Sequence, residues 1–151
     1  KGRALEFSSN ELRAEKEIVL AAVKENDWAF AHASDELRAD KDFVLQVVSL
    51  KGRALEFASD ELKSDPEVVL AAALEYEWAF DHAAVELISN RDFILAAVKL
   101  HGLALEYASE DLRSDREIVL AAVKQNAEAL IYASSDLRAD RELRLSAKLG
   151  D

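Results

Sequence analysis

The chain has no cysteine and no methionine, one proline and four glycines in 151 residues. Without cysteine there is no disulfide and no thiolate metal site, and the redox compartment cannot be read. So few helix breakers, beside abundant Ala, Leu, Glu, Lys and Arg, point to an all-helical chain. Basic charge is short too: nineteen Lys and Arg against thirty Asp and Glu leave a net charge of −11. A nucleic-acid ligand needs a basic face, so that class is excluded, and an anionic membrane surface is disfavoured. No apolar run approaches the roughly 18–20 residues that span a bilayer, and no signal-peptide pattern opens the chain. A soluble, intracellular protein fits these absences, although the compartment is not written in them. The start at Lys1, in a chain without methionine, points to a portion of a longer polypeptide. With three histidines, no His-Glu-x-x-His, no calcium-loop spacing and no glycine-rich phosphate loop, no cofactor and no metal is expected.

What is present is repetition. The stretch Ala104–Glu128 recurs in steps of 25 residues, with anchor alanines at Ala4, Ala29, Ala54, Ala79, Ala104 and Ala129 and a last copy cut short at Asp151. A fixed short period is the signature of stacked repeats. With each anchor alanine as column 1, column 9 is Leu in every copy (Leu12, Leu37, Leu62, Leu87, Leu112, Leu137), and column 17 is Leu from Leu20 to Leu145. Columns 1, 2, 5 and 9 share one face of a helix at about 3.6 residues per turn. Column 12 (Glu15, Asp40, Asp65, Asn90, Asp115, Asp140) is rich in N-capping types, Pro66 directly follows one of them, and column 14 is always acidic. A second helix is therefore predicted over columns 13–22. Its centre, IVLAAV in two copies, is apolar nearly all round and so buried on more than one side. Gly52 and Gly102 stand where this helix should end and suit a left-handed cap.

Helices this short are marginal alone, so each unit needs its neighbours, and stability becomes a sum over interfaces. The expected fold is all-α: an α-solenoid of six 25-residue helix-turn-helix repeats, one domain over 1–151. At a helix spacing of about 8–10 Å it would form a rod or gentle superhelix roughly 50–60 Å long. A longer period overlies the short one. Residues 1–50 and 51–100 agree at 28 of 50 positions, and column 22 alternates Glu25, Glu75 and Gln125 with Leu50 and Leu100, so odd and even units should pack differently. The ends are unequal. Arg144 and Lys148 take columns otherwise Val, Ile or Ala, which reads as a C-terminal cap, whereas the first unit shows no such adaptation and should be covered by further chain or a partner.

The pattern A-L-x-[FY]-A-S-x-[ED]-L-[RK]-x-D-[RK]-E-[IV]-V-L-A-A-V-K-x-N, seen in Ala104–Asn126 and with small departures in every copy, resembles the repeat catalogued as domain of unknown function 4116. The resemblance covers essentially the whole chain. It implies a tandem array and brings no activity, cofactor or catalytic residue.

Two kinds of residue invite a functional reading. Trp28 with His32, and Trp78 with His82, sit four apart on a helix face, but Arg53 with Phe57 fills the same slots in between, so packing is the reading preferred. The carboxylates recur in every unit, interleaved with bases, as capping and a charged face rather than as one catalytic pair in a cleft. The serines of column 6 are read as lying within a helix, without a triad around them. No enzyme is expected.

The aperiodic positions say more. Val85 replaces a polar residue, Ile88 replaces Arg or Lys, Leu74 stands in a column with three lysines, Tyr76 stands in a column that is otherwise polar, and Ile131 replaces a mostly acidic column. Leu74, Tyr76, Val85 and Ile88 cluster at the third-to-fourth unit junction, and an apolar patch on a charged surface is what a partner site looks like. The expected function is a non-enzymatic protein–protein interaction scaffold with a protein partner, for which the net charge favours a basic one. Trp28, His32, Trp78, His82 and Ile131 are the weaker candidates. The alternatives are a structural protein stacking end to end or within a larger complex, and a targeting module of a larger protein.

Overall fold

A computed structural model describes residues 2–149; Lys1 and Asp151, which carry the readings of the chain's start and of the truncated sixth unit, lie outside the described residues. The fold is an all-α repeat solenoid with no strand among the described residues. Each unit contributes three pieces. First comes a six-residue 3-10 helix: Gly2–Phe7, Asp27–His32, Gly52–Phe57, Glu77–His82, Gly102–Tyr107 and Ala127–Tyr132. A single α-helical turn follows in each: α1 (Asn10–Arg13), α3 (Asp35–Arg38), α5 (Asp60–Lys63), α7 (Val85–Ile88), α9 (Glu110–Arg113) and α11 (Ser135–Ala139). Last is a longer helix: α2 (Lys16–Glu25), α4 (Lys41–Leu50), α6 (Pro66–Glu75), α8 (Arg91–Leu100), α10 (Arg116–Gln125) and α12 (Arg141–Leu149).

The long helix begins at column 13 in every unit, and its cap residue acts as its chemistry dictates. The carboxylate of Asp40 accepts from Phe43 N–H at 3.0 Å, Asn90 does the same for Phe93, and Asp65 and Asp115 each hold two backbone amides. Pro66 occupies the first turn of α6, where its missing N–H has no intrahelical partner to lose. Glu15, one methylene longer, makes no cap bond.

The first half of the unit differs from the single helix that columns 1, 2, 5 and 9 suggested. It breaks at columns 5 and 6, where residues such as Ala33 (φ −66°, ψ 157°) and Ser34 (φ −60°, ψ 153°) are extended. The column-6 serines therefore lie outside helix and open the next turn: Ser9, Ser34 and Ser59 accept from the amides of Leu12, Leu37 and Leu62. A serine satisfies an exposed helix-start amide better than it fits a helix interior, and that preference splits the segment.

The glycines differ from expectation as well. Neither Gly52 nor Gly102 has positive φ. A Cβ on Gly52 would stand 2.2 Å from the Ala72 carbonyl oxygen and 2.8 Å from Tyr76 Cβ, and one on Gly102 would stand 2.5 Å from the Ala122 oxygen. Glycine is there for close approach, not for a left-handed turn. The approach explains the 50-residue period: Gly52 N–H donates to the Glu75 carboxylate at 2.6 Å, and Gly102 N–H donates to the Gln125 amide oxygen. Leu50 and Leu100 occupy the same column in the even units, where no glycine needs an acceptor.

Contacts divide the chain into two compact units, Lys1–Ala84 and Val85–Asp151. In the first, α2, α4 and α6 lie side by side over a row of 3-10 helices, and the core between the layers includes Phe30, Phe43, Val47, Leu55 and Val69, each at most 1% exposed. The Phe30 and Phe43 rings meet at 6.2 Å. In the second, α8, α10 and α12 lie over the 3-10 helices Gly102–Tyr107 and Ala127–Tyr132, burying Leu105, Ile118, Val119 and Leu143. Burial at these positions supplies most of the stability, because apolar area removed from water contributes roughly 25 cal/mol per Å².

Two further devices bind one repeat to the next. The column-6 amide of each repeat donates to the column-10 carbonyl of the repeat before it: Ser34 to Arg13, Ser59 to Arg38, Ala84 to Lys63, Ser109 to Ile88 and Ser134 to Arg113, at 2.8–3.0 Å. The column-13 cation reaches the acids of the next repeat: Lys16 to Asp40, Lys41 to Asp65 and Glu67, Arg91 to Asp115 and Glu117, Arg116 to Asp140 and Glu142. The recurring carboxylates thus form a ladder of cross-repeat ion pairs as well as caps. The ladder's charge pattern skips one step, since Pro66 carries no cation and Asn90 no carboxylate.

Candidate partner-binding surfaces

Leu74 lies near the end of α6, 67% exposed, one turn beyond the half-buried Leu70. The column-17 leucines from Leu20 to Leu120 are all half-buried, so the outer face of the long helices carries an apolar stripe. In the second unit the stripe forms an open groove between α8 and α10, lined by Leu95, Lys99, Glu117, Leu120 and Lys124. The same columns on α4 and α6 are Leu45, Ser49, Glu67, Leu70 and Leu74. Two lysines are thus exchanged for a serine and a leucine, and the face becomes apolar.

Tyr76 ends α6, half-buried, with its ring 6.5 Å from that of Trp78. Its Cβ presses on the place where Gly52 lacks one, so Tyr76 serves packing as well as surface. Trp78 is 58% exposed, and its indole N–H donates to the Glu77 carboxylate at 3.1 Å. In the second unit Val85 opens α7 at 68% exposure, and Ile88 closes it, half-buried. Leu74, Tyr76 and Trp78 thus belong to one compact unit, Val85 and Ile88 to the other.

The weaker candidates separate. The Trp28 ring meets that of Phe57 at 5.3 Å, tilted by 54°, and lies 5.2 Å from the Arg53 guanidinium, which is a packing arrangement despite its 48% exposure. His32 lines a shallow cavity with Asn10, Arg13, Ser34 and Arg38. His82 is half-buried, and Ile131 is 63% exposed in Ala127–Tyr132. The Tyr132 hydroxyl is pushed above its ordinary pKa by burial and by the charge of Glu106. In column 10, the Nε atoms of Arg13, Arg38 and Arg113 are buried without a hydrogen-bond partner. Among the described residues, no three His, Asp or Glu side chains gather where they could hold a metal ion, and no helix is long and apolar enough to cross a membrane.

The ladder acids are held ionised. Asp40 and Asp115 are lowered below the usual carboxylate pKa chiefly by their bonds to Lys16 and Arg91. Burial pushes Asp65 up, but the Lys41 ion pair and the Val68 amide outweigh it, and the net shift is downward. Lys41 and Arg91 are raised in turn by their two carboxylates each.

One signal lies in the sequence beyond the apolar replacements. Residues 64–90 hold no Lys or Arg, yet contain Asp65, Glu67, Glu75, Glu77, Asp81 and Glu86. The exposed side chains of Leu74, Trp78 and Val85 all stand in this cation-free stretch.

A family model described as Domain of unknown function (DUF4116) matches residues 1–38, 40–88 and 90–138. The second and third matches are each about two 25-residue periods long, in keeping with the double period that the glycine contacts produce. No curated protein and no solved structure matches the chain. With its repeats, its solenoid fold and three tandem matches over most of its length, the chain belongs to the DUF4116 family.

Proposed function

We propose that the protein is a non-enzymatic protein-interaction scaffold whose partner is a basic amphipathic segment. The observation that carries this reading is the coincidence of exposed Leu74, Trp78 and Val85 with a stretch of chain that has six acids and no Lys or Arg. Isolated exposed apolar residues are common and need no explanation. Leu74 is different, because it extends the half-buried leucine stripe at a column where other repeats place lysine. Apolar residues of a partner helix at i, i+3 and i+7 would lie on Leu45, Leu70 and Leu74, while its cations met the acidic charge of this stretch. Charge of that kind speeds and orients encounter, and the desolvated apolar centre supplies affinity. Val85 and Ile88 offer a second apolar face on the other compact unit.

The test is a pull-down from native lysate with three baits: wild type, Leu74→Lys, and Val85→Asp with Ile88→Arg, each shown by circular dichroism to be folded. A protein retained by wild type and lost on one variant assigns the surface. Equal capture by all three removes both surfaces and turns attention to the acidic ladder.

A further inference from the structure

The cavity beside His32 gathers donors for an anion in a chain whose net charge is −11. Its volume is about 340 Å³, and its walls are α1, α3 and residues 31–34, all in the first compact unit. Arg13, His32, Ser34 and Arg38 line it, each half-buried, together with the exposed Asn10 and Asp35. A guanidinium has five N–H donors and no acceptor. Arg13 uses one on the Glu6 carbonyl at 2.6 Å, and Arg38 uses one on the Asp35 carboxylate. Among the described residues neither guanidinium makes another hydrogen bond, and the Nε of each is buried without a partner. The His32 imidazole makes none, and the Ser34 hydroxyl, which accepts from the Leu37 amide, keeps its proton free to donate. Asp35 is the one acid of this lining, and Arg38 already neutralises it.

The other compact unit supplies a comparison. Its cavity beside Tyr132 is lined from the same columns, by Glu110, Arg113, Tyr132, Ser134 and Ser135. There Glu110 stands for Asn10 and Tyr132 for His32, and the charge of Arg113 is balanced by Glu110. Two successive repeats wall each cavity, and Ile88, in the repeat before, adds nothing to the second one. The cavity is therefore a product of the junction, and the surplus cation is particular to the residues of the first.

We infer that the cavity lined by Arg13, His32, Ser34 and Arg38 binds the phosphoryl group of a phosphorylated side chain on a partner segment. Such a group brings a charge of about −1.5 to −2 and three acceptor oxygens, against one charge and two oxygens for a carboxylate. It therefore meets the surplus cation and the unused donors more fully. Arginine forks take such oxygens in pairs, and clustered arginines are a recurring means of reading phosphorylated segments. Glu11, Asp35 and Glu36 are exposed on the two short helices that wall the cavity. They repel an extended anionic surface such as a membrane, but not a single phosphoryl group with basic neighbours in its chain. The site is separate from the leucine stripe of the long helices, so the two are tested independently.

NMR of the isotope-labelled full chain at constant ionic strength tests this, through backbone amides and arginine Nε–H groups. The probes are a degenerate peptide mixture with a fixed central phosphoserine, the same mixture with serine, inorganic phosphate, and vesicles of phosphatidylcholine with phosphatidylserine. The phosphoserine mixture is expected to shift Ser34, Arg13 and Arg38 saturably, while Ser134 and Arg113 stay in place as the internal control. Inorganic phosphate should need about tenfold or more concentration for the same shifts, and the serine mixture and the vesicles should produce none. Arg38→Gln should weaken binding about tenfold or more, the loss expected when a charged hydrogen bond is removed. Asn10→Glu should weaken it too, by giving an exposed position the acid of the second cavity, which keeps loss of binding distinct from loss of fold. Absent shifts, equal shifts with the serine mixture, equal shifts at Arg113, or unchanged affinity in both variants would each overturn the proposal. Equal affinity for inorganic phosphate assigns the cavity to the free ion, and binding to the vesicles assigns it to lipid; either result overturns a phosphorylated partner.

Discussion

Gly52→Ala tests the packing logic of the odd units in one step. The added methyl carbon would sit 2.2 Å from the Ala72 carbonyl oxygen, more than an ångström inside ordinary van der Waals contact. That oxygen cannot swing away freely, because it accepts the Tyr76 amide that closes α6 at 2.9 Å. Nor can Tyr76 retreat easily, since its own Cβ and N lie 2.8 and 3.0 Å from the same point. Forcing an extra methyl into a packed site costs about 1–3 kcal/mol, and a weakened helix-end hydrogen bond adds about 1 kcal/mol. Reduced freedom of the unfolded chain returns about 0.4–1 kcal/mol. The net expectation is a loss of roughly 1–3 kcal/mol, or about 3–10 °C in Tm for a chain of this size. Urea unfolding followed by far-UV circular dichroism should show a lower midpoint at unchanged slope. A Gly52→Ala protein as stable as wild type, or more stable, would refute the argument that close approach, and not backbone freedom, placed glycine there.

Other outcomes follow from the same structure. Ser34→Ala should lose the cap on the Leu37 amide and cost about 0.5–2 kcal/mol, whereas Ser134→Ala, where no such bond is made, should cost less in the same urea assay. Phe43→Ala removes a ring that is 1% exposed and should cost about 3–5 kcal/mol, read as the change in unfolding midpoint. Asp40, Asp65 and Asp115 titrate below their unfolded value of 3.8, so their contribution is complete above that pH and is lost as pH falls through the folded values. Acid titration below about pH 4 should therefore destabilise wild type more than a variant with Asp115→Asn, the midpoint again being the readout. Leu74→Lys restores the residue of three other repeats at a 67% exposed position and should change stability by no more than about 0.5 kcal/mol.

The long helices were legible in the sequence because several independent signals agreed. Column 12 supplied the cap, Pro66 the first turn and column 14 the dipole-matched acid, and all six helices begin at column 13. The first half of the unit carried one signal only, an apolar spacing that a 3-10 helix followed by a capped turn satisfies as well as one helix does. Ser34, three residues before Leu37, was the missing clue, since a serine there can serve an amide that a helix would have satisfied itself. Gly52 and Gly102 were recognised as special for the wrong reason: position relative to a helix end is visible in one dimension, but the approach of the Ala72 carbonyl is not. The ladder shows the same limit. Lys41, Asp65 and Glu67 are separately unremarkable, and only stacking brings them together. At the surface, Leu74 and Val85 stand out from their columns one residue at a time, whereas the cation-free stretch around them is a property of 27 residues together and shows in no single column.

The most direct test of the scaffold reading is calorimetric titration of the captured partner into wild type, Leu74→Lys, and Val85→Asp with Ile88→Arg. Affinity should be weaker, by tenfold or more, for at least one folded variant, with a negative heat-capacity change for wild type and weakening by salt. Equal affinity for all three proteins, independent of salt, would contradict it.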